Sequence, residues 1–194
     1  MPKIGMEPLR RKALIDATIA EIGEAGTLSV TVGRIAKRAG MSSGLAHHYF
    51  GTKEEIFLAA MRHILRLYGQ EIRRALARAE GPRGRVQAIV EASFHPSNFS
   101  QEAVGAWLNF YVYAQTAPEA HRLLQVYVKR LRSNLIHGLR PLVPEPQAKD
   151  LAEGVAALID GFYIRQALHR DGPRQAEVLA LVSDYIDRNL GTAP

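Results

Sequence analysis

The segment Thr31–Phe50, TVGRIAKRAGMSSGLAHHYF, concentrates hydroxyl, imidazole and cationic groups around two helix starts. Thr31, Arg34, Ser42, His48, Tyr49 and Lys53 carry groups that bind phosphate, and helix N-termini add backbone N–H donors. Ser43, Gly44, Ala46 and His47 fall early in the second short helix, where a helix in a major groove meets base edges. Ser, Gly and Ala offer little direct readout, so His47 is the candidate for a specific base hydrogen bond and DNA shape supplies much of the rest. Two other chemistries overlap these residues. Gly40–Gly44 satisfies G-x-S-x-G, which would make Ser42 the nucleophile of a small serine hydrolase, but that motif needs a strand before the serine and VGRIAKRA reads as helix. The pair His47-His48 suggests a metal, yet adjacent helical residues point about 100° apart and no cysteine or acid cluster completes a site. No catalytic residue, metal or cofactor is therefore expected.

A second constellation lies further on. Trp107, Phe110 and Tyr111 stand at i, i+3 and i+4 and share one helix face. Tyr163 follows one turn after Asp160 on a later helix, and Phe94, Tyr113, Tyr127 and Phe162 are further aromatics of this half. Aromatic faces attract quaternary ammonium groups, and a carboxylate such as Asp160 adds Coulomb attraction, so these residues suit a cage for a quaternary ammonium ligand. Aromatics at helical spacing also fill cores, and both readings stay open here.

The elements that must position these groups are helices. The chain shows no sustained two-residue alternation and no Asn-Gly or Asp-Gly turn, and helical periodicity fills almost every stretch between breakers. A first helix is predicted from Pro8 to Ala25, with Leu14, Ala17, Thr18 and Ile22 on one face and Gly26 as terminator. Thr31 caps Val32–Ala39, which stops at Gly40, and Ser42 or Ser43 caps a helix through Tyr49. Ile35, Ala36, Ala39, Met41, Leu45 and Phe50 have the spacing to pack the two short helices on each other and on the first. Thr52–Glu55 fits a capping box opening a helix to about Glu80. Breaks at Gly81-Pro82, His95–Asn98, Ala117-Pro118, Pro141–Pro146 and Asp171–Pro173 give an all-α fold of about nine helices. Residues 1–52 form a DNA-binding domain, with its helix-turn-helix at about 31–50, and 53–194 a ligand-binding and dimerisation domain. The last two helices, Gln147–Arg170 and Arg174–Leu190, carry more than one apolar stripe, which suits either one face packed internally and the other in an isologous homodimer, or burial of both within the monomer. Such a dimer would set its reading helices about 34–36 Å apart and demand a near-palindromic operator.

Composition fits this reading. The chain of 194 residues has 47% hydrophobic and 23% charged residues, no cysteine and a net charge of +6. Residues 1–53 hold eight Lys or Arg against four acids, so most of the excess positive charge lies in the first quarter, as a polyanionic partner requires. No apolar run approaches membrane-spanning length, and the charged N-terminus is not a secretory signal, so a cytoplasmic protein is expected.

Residues 9–60 resemble the DNA-binding domain of TetR-family transcriptional regulators. IAKRAGMSSGLAHHYFGTKEEIF follows that family's pattern I-A-x-x-A-G-(V/M)-S-x-G-x-x-x-x-Y-F-x-x-K-x-x-(I/L). The opening MPKIGM and RRKALIDAT, Gly105–Leu108, Arg130–Leu135 and Ala157–Gly161 are similar to a choline-sensing branch of the family that represses glycine betaine synthesis. The resemblance implies a homodimeric repressor whose small-molecule effector is choline, tilting the fourth helix to respace the reading heads. The alternative is a TetR-type regulator of efflux or other metabolism answering a different small molecule.

Overall fold

The computed structural model describes residues 5–168 and 172–191; the expected helix end at Arg170 and the break residue Asp171 lie outside them. The described residues form ten α-helices and no strand. Helix α1 spans Met6–Ala25, α2 Val32–Arg38, α3 Ser43–Phe50 and α4 Lys53–Arg78. Then follow α5 Gly81–Ser93, α6 Pro96–Phe99, α7 Gln101–Tyr113, α8 Pro118–Leu139, α9 Glu145–Leu168 and α10 Gln175–Leu190.

Helix α1 begins two residues before Pro8 because a proline in the first turn lacks only an N–H that has no intrahelical partner anyway. Its buried Leu14, Ala17, Thr18 and Ile22 form the expected stripe, and it ends at Gly26, whose N–H bonds the Ile22 carbonyl at 2.9 Å. The tenth helix is α6, a single turn at the His95–Asn98 break. His95 caps it by accepting from the Ser97 N–H, and a four-residue turn is too short to leave a periodic pattern.

Residue contacts divide the chain into two compact units. One contains residues to Ile64 together with Gln101–Leu123; the other contains Leu65–Ser100 and the chain from Leu124 onward. Helix α7 therefore packs with α1–α3, a grouping that cuts across the boundary expected at 52/53. The cause is a close helix crossing. A Cβ on Gly23 would lie 2.6 Å from the Glu102 carbonyl oxygen and 2.9 Å from its Cα, and Gly105 faces Gly23 from α7. Only bare backbone on both sides allows that approach.

The second unit has its own core. Phe94 is fully buried, with Phe99, Phe162 and Tyr163 packed around it at ring-centroid distances of 5.2, 6.1 and 6.0 Å. Val155 and Ile159 of α9 and Val178, Val182 and Ile186 of α10 are fully buried. Arg83 of α5 ties α10 through Asp187 at 2.9 Å.

Candidate nucleic-acid interface and effector cavity

The helix-turn-helix is built by two side-chain caps and a small apolar core. The Thr31 hydroxyl accepts from the Arg34 N–H, and the Ser42 hydroxyl from the Leu45 N–H, each at 3.2 Å, satisfying donors at the starts of α2 and α3. Ile35 and Ala36 of α2 and Ala46 and Phe50 of α3 are buried, while Ala39, Met41 and Leu45 are half-buried. Thr31, Arg34, Ser42, Ser43, Gly44, His47 and His48 are exposed, and Tyr49 and Lys53 half-buried.

Ala46, read from the sequence as outward-facing, is a correction. It is 0% exposed, because it shares the inner face of α3 with Phe50 one turn later, so it supports the helix from below and meets no base. Ser42 follows helix α2, not a strand, and its oxygen is committed to a cap; the geometry is not that of a nucleophile elbow.

Arginines of α1 join the far end of α3. Arg11 donates to the Tyr49 carbonyl at 2.5 Å and stacks its guanidinium 4.4 Å from the Phe50 ring centre, and Arg10 donates to the Tyr49 hydroxyl at 3.3 Å. They neutralise the carbonyl end of α3 and orient Tyr49. The sequence showed them only as part of a basic run. His48 packs edge-on to Tyr49 at 5.4 Å, and the Lys53 ammonium sits 5.2 Å from the Phe57 ring centre. The His47 Nδ1 lies 2.8 Å from the Gly51 carbonyl oxygen.

Behind this face, Arg38 binds Glu21 at 2.8 Å and also reaches Glu24, while Arg34 pairs with Glu21 at 2.9 Å. Glu21 is nearly buried, and these two guanidiniums compensate its charge where α1 meets α2. The hydrogen bond from Arg38 holds the Glu24 carboxyl below the usual carboxylate range. Lys37 is exposed and carries no ion pair among the described residues, which makes it a candidate phosphate contact that the motif reading passed over.

The residues expected to bind a ligand divide between the two units. On α7, Trp107 and Phe110 are buried, and Trp107 packs edge-on against half-buried Tyr111 with ring centres 5.2 Å apart. On α9, Asp160 is half-buried, and Tyr163 donates its hydroxyl proton to the Ser93 carbonyl at 2.6 Å with its ring against Phe94 and Phe99.

Tyr127, one of the further aromatics of this half, and Tyr68, which the sequence pattern did not mark, line a cavity of about 350 Å³ between α4 and α8. Leu65, Ile72 and Leu131 give it apolar walls, and Arg73 and Arg130 stand at its edge. The two tyrosine rings meet edge-on at 5.2 Å. The Tyr68 hydroxyl is 3.0 Å from the Ser93 hydroxyl, and burial pushes it up to about 12, with Asp160 adding to the shift. The signal available in sequence was that each tyrosine sits on the inward stripe of a long amphipathic helix, a pattern identical to that of a core residue.

Comparison with known proteins adds the following. Residues 14–60 match the family described as bacterial regulatory proteins, tetR family, and residues 82–191 the family described as BetI-type transcriptional repressor, C-terminal. A protein of Brucella anthropi named HTH-type transcriptional regulator BetI is 53% identical over 186 residues, 96% of each chain. Its namesake in Agrobacterium fabrum is 51% identical over 194 residues, covering 100% of this chain and 94% of that one. Among solved structures, a transcriptional regulator of Pseudomonas aeruginosa PAO1 is 26% identical, with a TM-score of 0.74 over 95% of this chain and 91% of that one. A transcriptional regulator of Saccharomonospora viridis, solved in complex with choline, shares the fold at a TM-score of 0.80 and 21% identity, covering 92% and 96% of the two chains.

Proposed function

Since the chain belongs to the TetR family of bacterial regulatory proteins and carries a BetI-type C-terminal domain, we propose that it is a homodimeric repressor that answers choline and controls choline-to-glycine-betaine genes. It is a transcriptional regulator and not an enzyme. In this reading residues 1–52 hold the DNA and residues 53–194 bind the effector and dimerise. Ser43, Gly44 and His47 face base edges, and Thr31, Arg34, Ser42, His48, Tyr49 and Lys53 hold phosphates, with Ala46 packed beneath them. No helix among the described residues is long and apolar enough to cross a membrane, and work on DNA sets its place in the cytoplasm.

The observation that carries the choline reading is identity near 50% sustained over the whole chain with regulators named BetI. The choline-bound relative of the same fold supports it. Tyr68 and Tyr127 offer aromatic surface to a quaternary ammonium beside the apolar walls of Leu65, Ile72 and Leu131, with Asp160 acting on Tyr68 electrostatically. The Trp107–Tyr111 pair is a second aromatic surface, and Phe110 and Tyr163 hold the surrounding cores. Helix α4 starts at Lys53, directly after the reading helix, and runs on to the cavity residues Leu65, Tyr68 and Ile72, so an effector that displaces this helix moves the segment that follows α3.

Ala157, Ile164 and Leu168 of α9 are exposed and share a face with half-buried Gly161, and Leu181 of α10 is also exposed. That second apolar stripe is the proposed dimer face. Calorimetric titration with choline tests the effector half of the proposal. Wild type should bind, and Tyr68→Ala or Tyr127→Ala should weaken binding by about 5- to 30-fold, the loss of one good cation–π wall. No heat from wild type would remove choline while leaving the DNA-binding regulator standing.

A further inference from the structure

Helix α3 ends in a turn that acts on a side chain of its own reading face. Gly51 has φ 72 and ψ −80, a conformation that disfavours any residue with a Cβ, and a Cβ there would also lie 2.5 Å from Glu55 Oε2. The Gly51 N–H bonds the His47 carbonyl at 2.7 Å, and its own carbonyl turns back to within 2.8 Å of His47 Nδ1. The next residues lock this turn. The Thr52 N–H donates to Glu55 Oε2 at 3.0 Å and the Glu55 N–H to the Thr52 hydroxyl at 3.2 Å, closing the capping box that starts α4.

A backbone carbonyl can only accept, so Nδ1 must carry the hydrogen. A neutral imidazole has one ring proton, which leaves Nε2 with a lone pair. His47 is exposed. In the neutral ring the reading atom is therefore an acceptor, set by a turn in the backbone and not by the DNA.

In the major groove an acceptor on the protein pairs with an exocyclic amino group: N6 of adenine or N4 of cytosine. Guanine offers two acceptors there, and thymine an acceptor and a methyl, so both are refused. We propose that His47 selects adenine or cytosine at the position it contacts through Nε2, with Gly51 as the positioning residue that fixes its tautomer. Ser43 can act as donor or acceptor and Gly44 has no side chain, so the sharpest base preference falls to His47. This inference rests on α3 being the helix that enters the groove.

Its test has two arms. The tightest-binding duplex is first selected from a randomised pool by the full-length protein. Each adenine or cytosine of its half-site is then replaced by purine or 2-pyrimidinone, which lack only the amino group. At one position per half-site, wild type should lose roughly 5- to 100-fold in affinity, the worth of a specific base contact. His47→Ala should bind more weakly overall and be indifferent to that replacement. Independently of DNA, nitrogen-15 NMR of the His47 ring at about pH 8.5, with imidazole neutral, should show the hydrogen on Nδ1, the less common tautomer of a free histidine side chain. Hydrogen on Nε2, or a selected duplex in which no amino deletion separates wild type from His47→Ala, overturns the inference alone. Failure to select any duplex overturns the assignment of the reading helix, and the inference with it.

Discussion

Tyr68 is held in a chain of hydroxyls whose direction is set at one end. The Ser93 hydroxyl donates to the Ile89 carbonyl at 2.8 Å, so toward Tyr68 it can only accept, and Tyr68 is the donor across their 3.0 Å contact. The Tyr127 ring packs edge-on against that of Tyr68, with centres 5.2 Å apart. Burial, with Asp160 adding to it, raises the Tyr68 hydroxyl from 10 to about 12, so the folded state favours its proton. An unfolded tyrosine releases its proton near pH 10, so between about pH 10 and 12 the unfolded chain binds fewer protons than the folded one and stability falls as pH rises. The loss attributable to Tyr68 should be on the order of 2 kcal/mol across that window. Tyr68→Phe should remove this part of the alkaline decline, and at neutral pH it should cost about 1–2 kcal/mol by taking the donor away from the Ser93 hydroxyl. Urea unfolding of both proteins at neutral and alkaline pH checks the two effects together. The residues of this chain were unequally legible. Ser42 and Thr31 announced their caps by type and position. Ala46 did not announce its burial, since a short helix whose first residues are small leaves the orientation of its alanine open. The roles of Arg10 and Arg11 depend on a tertiary contact that no local pattern encodes.

At the scale of elements, the crossing of α1 and α7 is the most demanding contact. Gly23→Ala would drive a methyl into the backbone of Glu102, and backbone cannot rotate away as a flexible side chain can. It should destabilise the protein by roughly 2–3 kcal/mol through overpacking, measured as a shift in the urea midpoint. Ser42→Ala should cost about 1 kcal/mol by removing the N-cap of α3, and should leave the dimer intact. The long helices were readable because their apolar stripes repeat over several turns and their ends carry Gly, Pro or a capping box. The grouping of α7 with α1 was not, because a glycine that permits close approach looks in sequence like one that merely ends or weakens a helix. The one-turn α6 was hidden for the opposite reason, being shorter than the period that would reveal it.

At the scale of the whole molecule, the basic first quarter, the exposed face of α3 and the exposed apolar stripe of α9 each call for a partner. Ile164 is 45% and Leu168 73% exposed on one stripe of α9, apolar surface that a pairing partner would cover. Ile164→Glu should convert a dimer to a monomer in sedimentation velocity and weaken operator binding far more than the same charge added elsewhere, because each subunit then holds one half-site alone. The all-helical class and the motif of the matched family were visible in sequence as periodicity and residue pattern. The cavity between α4 and α8 was not, because it is formed by inward residues of two helices distant in the chain, each of which alone looks like core. The most direct test of a choline-answering repressor is fluorescence anisotropy of the purified protein on its own upstream intergenic DNA, at two salt concentrations, with and without millimolar choline. The account predicts tight binding that falls steeply with salt, as phosphate contacts require, and that choline weakens or remodels. Tight, salt-dependent binding left unchanged by choline at every concentration would contradict it.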